Sequence, residues 1–276
     1  MREKQANFWT YLVLIIISFI SIFPFVYMIL SALKAPDEIV GQGLNLFPAV
    51  PQWENFLKVF DLAPFHLYIF NSFMTALAIV VLQTLASSML AYALTQLKFK
   101  GKGLLFVVIM ISYMIPSATT YVASYVFLSR AQLINTLTGY VLSNTANVFM
   151  IFLLRQSFTQ VSGELIEAAR ISGASEWQIY RKIMLPLNKD VIFTTAILSF
   201  IGSYNAYMWP NLVLTSQENL LISIGLQRFF NSQGSFAQNW PLIMAGSTIS
   251  ILPLLIIFIV FQRYLKVGIS GQGVKG

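Results

Sequence analysis

Glu167-Ala-Ala-Arg-Ile-Ser-Gly173, followed after nine residues by Ile183-Met-Leu-Pro186, lies in a polar island, residues 155 to 190, of a strongly apolar chain. Its spacing predicts two short helices. Leu165, Ala168 and Ala169 fall on one face of the first, with Glu164, Glu167 and Arg170 distributed around it. Gly173 stands where a helix needs a residue that tolerates positive φ, so the first helix is expected to end there. Ser175 with Gln178 three residues on reads as a capping box that starts the second. Trp177, Tyr180 and Met184 recur at helical spacing, and Pro186 is expected to stop the helix. An elbow of this kind, carrying small alanines, is suited to pressing into a cleft on another protein.

Around the island the composition is that of a membrane protein. Of 276 residues, 57% are hydrophobic and only 10% charged, against about 25% charged in soluble domains. There is no cysteine, which removes disulfides and thiolate metal sites. The first apolar run, about 11 to 33, is long enough for a bilayer, which takes about 20 residues. No small-x-small cleavage site follows it, so it reads as a retained span, kinked or loosened near Pro24. Residues 34 to 68 form an irregular polar segment. Further spans are expected at about 69–97, 104–128, 137–158, 191–215 and 241–264. Pro116 falls inside the third, where hydroxyls can satisfy the carbonyl it frees. Thr84/Ser88 and Ser87/Ala91 give the second small-xxx-small spacings for close helix approach.

Six spans place both termini on one side, and the basic residues say which. With the termini inside, 13 of the 17 Lys and Arg lie in inner segments; only Lys34, Lys58, Arg130 and Arg228 lie outside. The acidic residues divide evenly. The formal net charge of +7 is therefore an orientation signal and not a nucleic-acid footprint, and the elbow is expected on the cytoplasmic side.

Catalytic chemistry is hard to find. No G-x-x-x-x-G-K-[ST] loop is present, and Gly101-Lys-Gly103 is a turn. With one histidine, His66, and no cysteine there is no metal cluster or acyl-transfer dyad to assemble. Ionisable residues are nearly absent from the spans, which argues against a carrier coupled through buried carboxylates. Asn144, Asn147, Tyr204, Asn205 and Tyr207 give the fourth and fifth spans uncharged polarity that would suit a neutral, hydroxyl-rich solute. Two readings stand for each of these residues: contact with the solute, or hydrogen bonds that hold helix to helix.

The elbow pattern, Glu-Ala-Ala, three residues, Gly, nine residues, Ile, one residue, Leu-Pro, resembles the EAA loop of permease subunits of binding-protein-dependent ABC importers. Glu167, Ala168, Ala169, Gly173, Ile183, Leu185 and Pro186 meet its fixed positions; Ser172 stands where many members carry Asp. Tyr92-Ala-Leu-Thr-Gln-Leu-Lys-Phe-Lys-Gly101, Phe152-Leu-Leu-Arg-Gln156, Asn239-Trp-Pro241 and Val274-Lys-Gly276 look like the carbohydrate-uptake group related to the maltose permease subunit MalG. The resemblance covers essentially the whole chain. It implies an all-α polytopic membrane protein with six transmembrane helices, the type I ABC importer permease fold, with a cytoplasmic EAA coupling-helix elbow. Residues 1–68 would hold the first span and first outer segment, 69–266 the permease domain, and 267–276 a cytoplasmic tail. The implied function is uptake of a sugar, an oligosaccharide, across a bacterial cell membrane. Implied partners are a second homologous permease, two ATPase subunits that bind the ATP, and an extracytoplasmic binding protein; the chain itself would be no enzyme and hold no cofactor. Another polar cargo, such as a glycerophosphodiester or an amino acid, and a self-sufficient secondary carrier remain as alternatives.

Overall fold

A computed structural model describes residues 8–41, 45–232 and 236–270, and every regular element among them is helical. Three helices among the described residues are long and apolar enough to cross a membrane: Phe8–Ala32, Phe65–Gln96 and Asn239–Gln262. Three bent pairs raise the number to six if each pair is one span. The tail expected at 267–276 lies outside the described residues beyond Ser270, as do residues 42–44 of the first outer segment.

The first expected span is a helix that runs through Pro24 without a break. Phe8, Ile15, Phe19 and Ile20 along it are exposed, which suits a surface bathed in lipid tails. The third span differs from expectation. Helices Lys102–Tyr113 and Ser117–Arg130 meet at 101° because Pro116 disfavours helical backbone at Ile115 and brings no N–H of its own. The hydroxyls of Thr119 and Thr120 donate to Pro116 O (2.7 Å) and Ser117 O (2.8 Å) just past the break. The fourth span also divides, into Leu137–Ser143 and Val148–Thr159, bent by 47°. The fifth is Lys189–Tyr204, a break, then Met208–Val213, and Lys189–Tyr204 meets the preceding Glu176–Leu187 segment at 78°.

Asparagines close two of these breaks by pairing with backbone groups that the breaks leave without helical partners. Asn144 Nδ2 donates to Tyr140 O (2.7 Å), and Asn147 Oδ1 accepts from Met150 N–H (3.0 Å). Asn188 Nδ2 donates to Met184 O (2.8 Å) while its Oδ1 accepts from the Ser157 hydroxyl (2.5 Å).

The chain divides into two compact units, residues 1–66 with 225–253 and residues 67–224 with 254–276. In the first, Asn55 Nδ2 donates to Ala32 O (2.9 Å) and Lys34 O (3.0 Å), tying the polar segment to the end of the first helix. Phe65 packs edge-on against Phe229 with ring centroids 5.2 Å apart. In the second, Asn71 Nδ2 donates to Glu218 O and Leu220 O, and the Ser72 hydroxyl accepts from Ile222 N–H (2.7 Å). Its core joins Ala91, Tyr92, Met150, Leu154, Phe158, Ile166, Ile179, Tyr180 and Met184.

Gly139 has no room for a side chain. A Cβ there would lie 2.2 Å from Leu133 O and 2.9 Å from Leu133 Cβ. Gly139→Ala is expected to lower thermal stability in detergent by about 1–3 kcal/mol, the usual cost of overpacking. Gly246→Ala, where the nearest atom is the Phe65 ring edge at 3.1 Å, should cost less.

Candidate functional site

The elbow consists of helix Gly163–Ile171, a turn, and a second helix beginning at Glu176. The first ends at Ile171, two residues after Ala169, because Gly173 adopts φ +83°. Ser175 and Gln178 close a reciprocal capping box: Gln178 N–H donates to Ser175 Oγ (3.3 Å), and Ser175 N–H donates to Gln178 Oε1 (2.8 Å). The second helix passes through a π-helical turn, Tyr180–Met184, and ends at Leu187, one residue beyond Pro186.

The motif residues divide between two faces. Glu167, Ala168, Gly173 and Pro186 are exposed, whereas Ala169, Ile183 and Leu185 are partly buried against the core. Ile166 is the buried anchor of the first helix, and Leu165, on the face it shares with Ala168 and Ala169, is 45% exposed. Trp177, spaced like a core residue, is 57% exposed, with Ile171 at 83%. Only Tyr180 and Met184 of that series turn inward. The elbow thus presents three large apolar side chains to its surroundings beside a small-residue patch.

A clamp fixes its orientation. Arg170 Nε and Nη2 donate to the two Glu176 carboxylate oxygens (2.8 and 3.2 Å), and Nη2 also donates to Gln96 O (3.1 Å). The Tyr92 hydroxyl donates to Glu176 Oε2 (2.5 Å). The elbow is therefore tied to the last turn of the Phe65–Gln96 helix, whose carbonyls attract cations; Lys102 Nζ likewise donates to Thr95 O (2.9 Å). One turn earlier, the Ser88 and Tyr180 hydroxyls share a 2.7 Å hydrogen bond. Sequence reading missed the clamp, although Arg170 lies inside the elbow motif and Tyr92 opens another quoted stretch.

The bonds from Arg170, and then from Tyr92, hold the Glu176 carboxyl below its usual pKa. A lowered folded value means that the contribution is present above the ordinary glutamate pKa, about 4.3, and is lost as pH falls through the lowered one. The protection of amides across 163–179 against hydrogen exchange, taken relative to the intrinsic rate at each pH, is expected to fall on acidification through that range. Glu176→Gln should remove the pH dependence. A pair this exposed adds on the order of 1 kcal/mol or less to global stability, so the effect is local.

The five candidate solute contacts are not brought together. Asn144 and Asn147 line a cavity of about 330 Å³ with Gln83, Tyr113, Ser199 and Ser203. Tyr204, Asn205 and Tyr207 are outside its lining. Tyr204 is 1% exposed and stacked on Phe200, with centroids 6.1 Å apart, so its ring is packing and not an open surface. Asn205 and Tyr207, both exposed, flank the break after Tyr204. Gln83 is the residue that sequence reading passed over. It is 7% exposed; its Nε2 donates to Asn144 O (2.6 Å), and its Oε1 accepts from Asn147 Nδ2 (3.0 Å) and the Ser199 hydroxyl (2.6 Å). A lone amide midway along an apolar helix was the available signal.

Broken spans around an uncharged cavity, with a polar elbow at the end of the bundle, define the transmembrane subunit of a type I ABC importer. A bacterial ABC transporter involved in the import of the acidic polysaccharide alginate has this fold: the match has a TM-score of 0.83 at 21% identity, covering 96% of this chain and 99% of that one. The alginate transporter in complex with a periplasmic protein bound to an alginate pentasaccharide gives 0.65 at 16% identity, covering 94% and 95%. Residues 83–270 match the family described as binding-protein-dependent transport system inner membrane component, and the chain belongs to that family. It is 34% identical to the arabinooligosaccharides transport system permease protein AraQ of Halalkalibacterium halodurans, over the whole length of both.

Proposed function

We propose that this chain is one of two permease subunits of an ATP-driven importer for an oligosaccharide delivered by an extracytoplasmic binding protein. The observation that carries the reading is the elbow's outer face. Leu165, Ile171 and Trp177 are exposed in a segment too rich in charge to lie in lipid, and together with Glu167, Ala168 and Gly173 they form a surface suited to an ATPase cleft. The clamp to Gln96 and the Ser88–Tyr180 bond give that surface a direct line to the Phe65–Gln96 helix. Movement of a docked ATPase would then tilt a helix that carries Gln83 at mid-length. ATP is bound and hydrolysed by the partners, and the chain itself is no enzyme. Relatives named for oligosaccharide uptake support the cargo, with 34% identity to the arabinooligosaccharide permease; those named for sn-glycerol-3-phosphate transport are less similar, at 26–28%.

The reading requires the elbow and both termini to be cytoplasmic. The chain has no cysteine of its own, so single-cysteine labelling in intact cells tests this. Lys58→Cys is expected to react with an impermeant thiol reagent added outside, while Lys100→Cys and Gln178→Cys stay protected. The reverse pattern would place the elbow beyond the reach of any cytoplasmic ATPase.

A further inference from the structure

We infer that the cavity beside Gln83 is a subsite, within this subunit, for a single uncharged, hydroxyl-rich ring of the transported chain. The inference rests on the importer reading above and specifies what this subunit touches. Four observations carry it.

The cavity lies against the unwound stretch 144–147, near the middle of the 32-residue Phe65–Gln96 helix. Non-helical backbone at membrane depth is tolerated where it is buried in protein or lines a cavity, and transporter sites recur at such discontinuous helices. Its volume of about 330 Å³ is at the lower end of the about 300–1,000 Å³ typical of ligand pockets. That admits a ring and not an extended oligosaccharide.

The lining contains no charged residue. The N-terminus of the Val148–Thr159 helix, which would otherwise attract an anion, is occupied by Asn147 Oδ1, which accepts from Met150 N–H. A carboxylate or phosphate entering here would lose its hydration without meeting a cation. Hydroxyls fare better: the Ser203 hydroxyl and the Asn144 Oδ1 atom take no part in the hydrogen bonds that close the break, and Tyr113 supplies an exposed aromatic face. Gly202 is one of the residues that line the cavity, and a Cβ there would meet nothing within 4 Å.

That open wall provides the test. The system is the complete complex, reconstituted with binding protein. Gly202→Leu should cut sugar uptake at least tenfold while ATPase stimulation by loaded binding protein stays within twofold. Gly202→Cys gives an independent measurement. Its modification by a small thiol reagent, followed by mass spectrometry of this chain, is expected to slow at least tenfold with one of the neutral trisaccharides arabinotriose, maltotriose or raffinose. Trigalacturonate, of similar size but charged, should not slow it. Uptake at the normal rate in Gly202→Leu, protection by none of the neutral sugars, or equal protection by trigalacturonate would overturn the inference. ATP-dependent uptake by the unmodified complex would leave the importer reading standing in each of those cases.

Discussion

Ala168→Trp is expected to leave the subunit folded and inserted in the membrane yet reduce uptake to background. Ala168 is exposed on the elbow beside Glu167, so an indole there adds bulk outside the core and holds any docked surface away. Buried interfaces match protein interiors in packing density, and a group this large cannot be absorbed at the centre of one. ATPase subunits should be lost on purification, or remain bound but unresponsive to loaded binding protein. Ala169→Trp is a poorer probe, because Ala169 packs against the core that holds Ile166 and Tyr180; its failure would report folding. Normal uptake in Ala168→Trp would remove the elbow from the coupling path.

Gly173→Val is expected to have a nearly equal effect by a different cause. No atom lies within 4 Å of a Cβ built at Gly173, but its φ is +83°. The penalty is therefore conformational, about 1–2 kcal/mol for a side chain in left-handed backbone, and greater for a β-branched one. Relief of that strain would swing the capping box at Ser175 away from the first elbow helix and strain the Arg170–Glu176 clamp. Transport should fall at least tenfold with the membrane core intact. Gly173→Asn, which tolerates positive φ, should retain most of the activity. Equal losses in both variants would point to a steric cause and contradict the backbone argument.

The elbow was legible because its signals are local. Gly173, Ser175 and Gln178 act within a few residues of themselves, and their roles follow from backbone chemistry alone. The direction in which each elbow side chain points was not legible. Trp177 and Leu165 have the spacing of core residues but face outward, since helical periodicity cannot tell a face buried in this chain from one reserved for another protein. The spans were readable from length and apolarity, yet their breaks were not. Pro116 was visible as a disturbance, but the 101° bend depends on how the two halves pack. At 144–147 the amides that looked like solute contacts also cap the helix ends they interrupt. Gln83 illustrates the remaining gap. Its three hydrogen bonds reach residues 61 to 116 positions away, and no local pattern encodes partners at that distance.

The most direct test is uptake into proteoliposomes holding this chain with the second permease and two ATPase subunits proposed above, and with labelled oligosaccharide and binding protein outside. The account predicts uptake that requires both ATP within and binding protein without, and that disappears with Ala168→Trp. Uptake by this chain alone, without ATP and indifferent to that substitution, would contradict it and identify a secondary carrier.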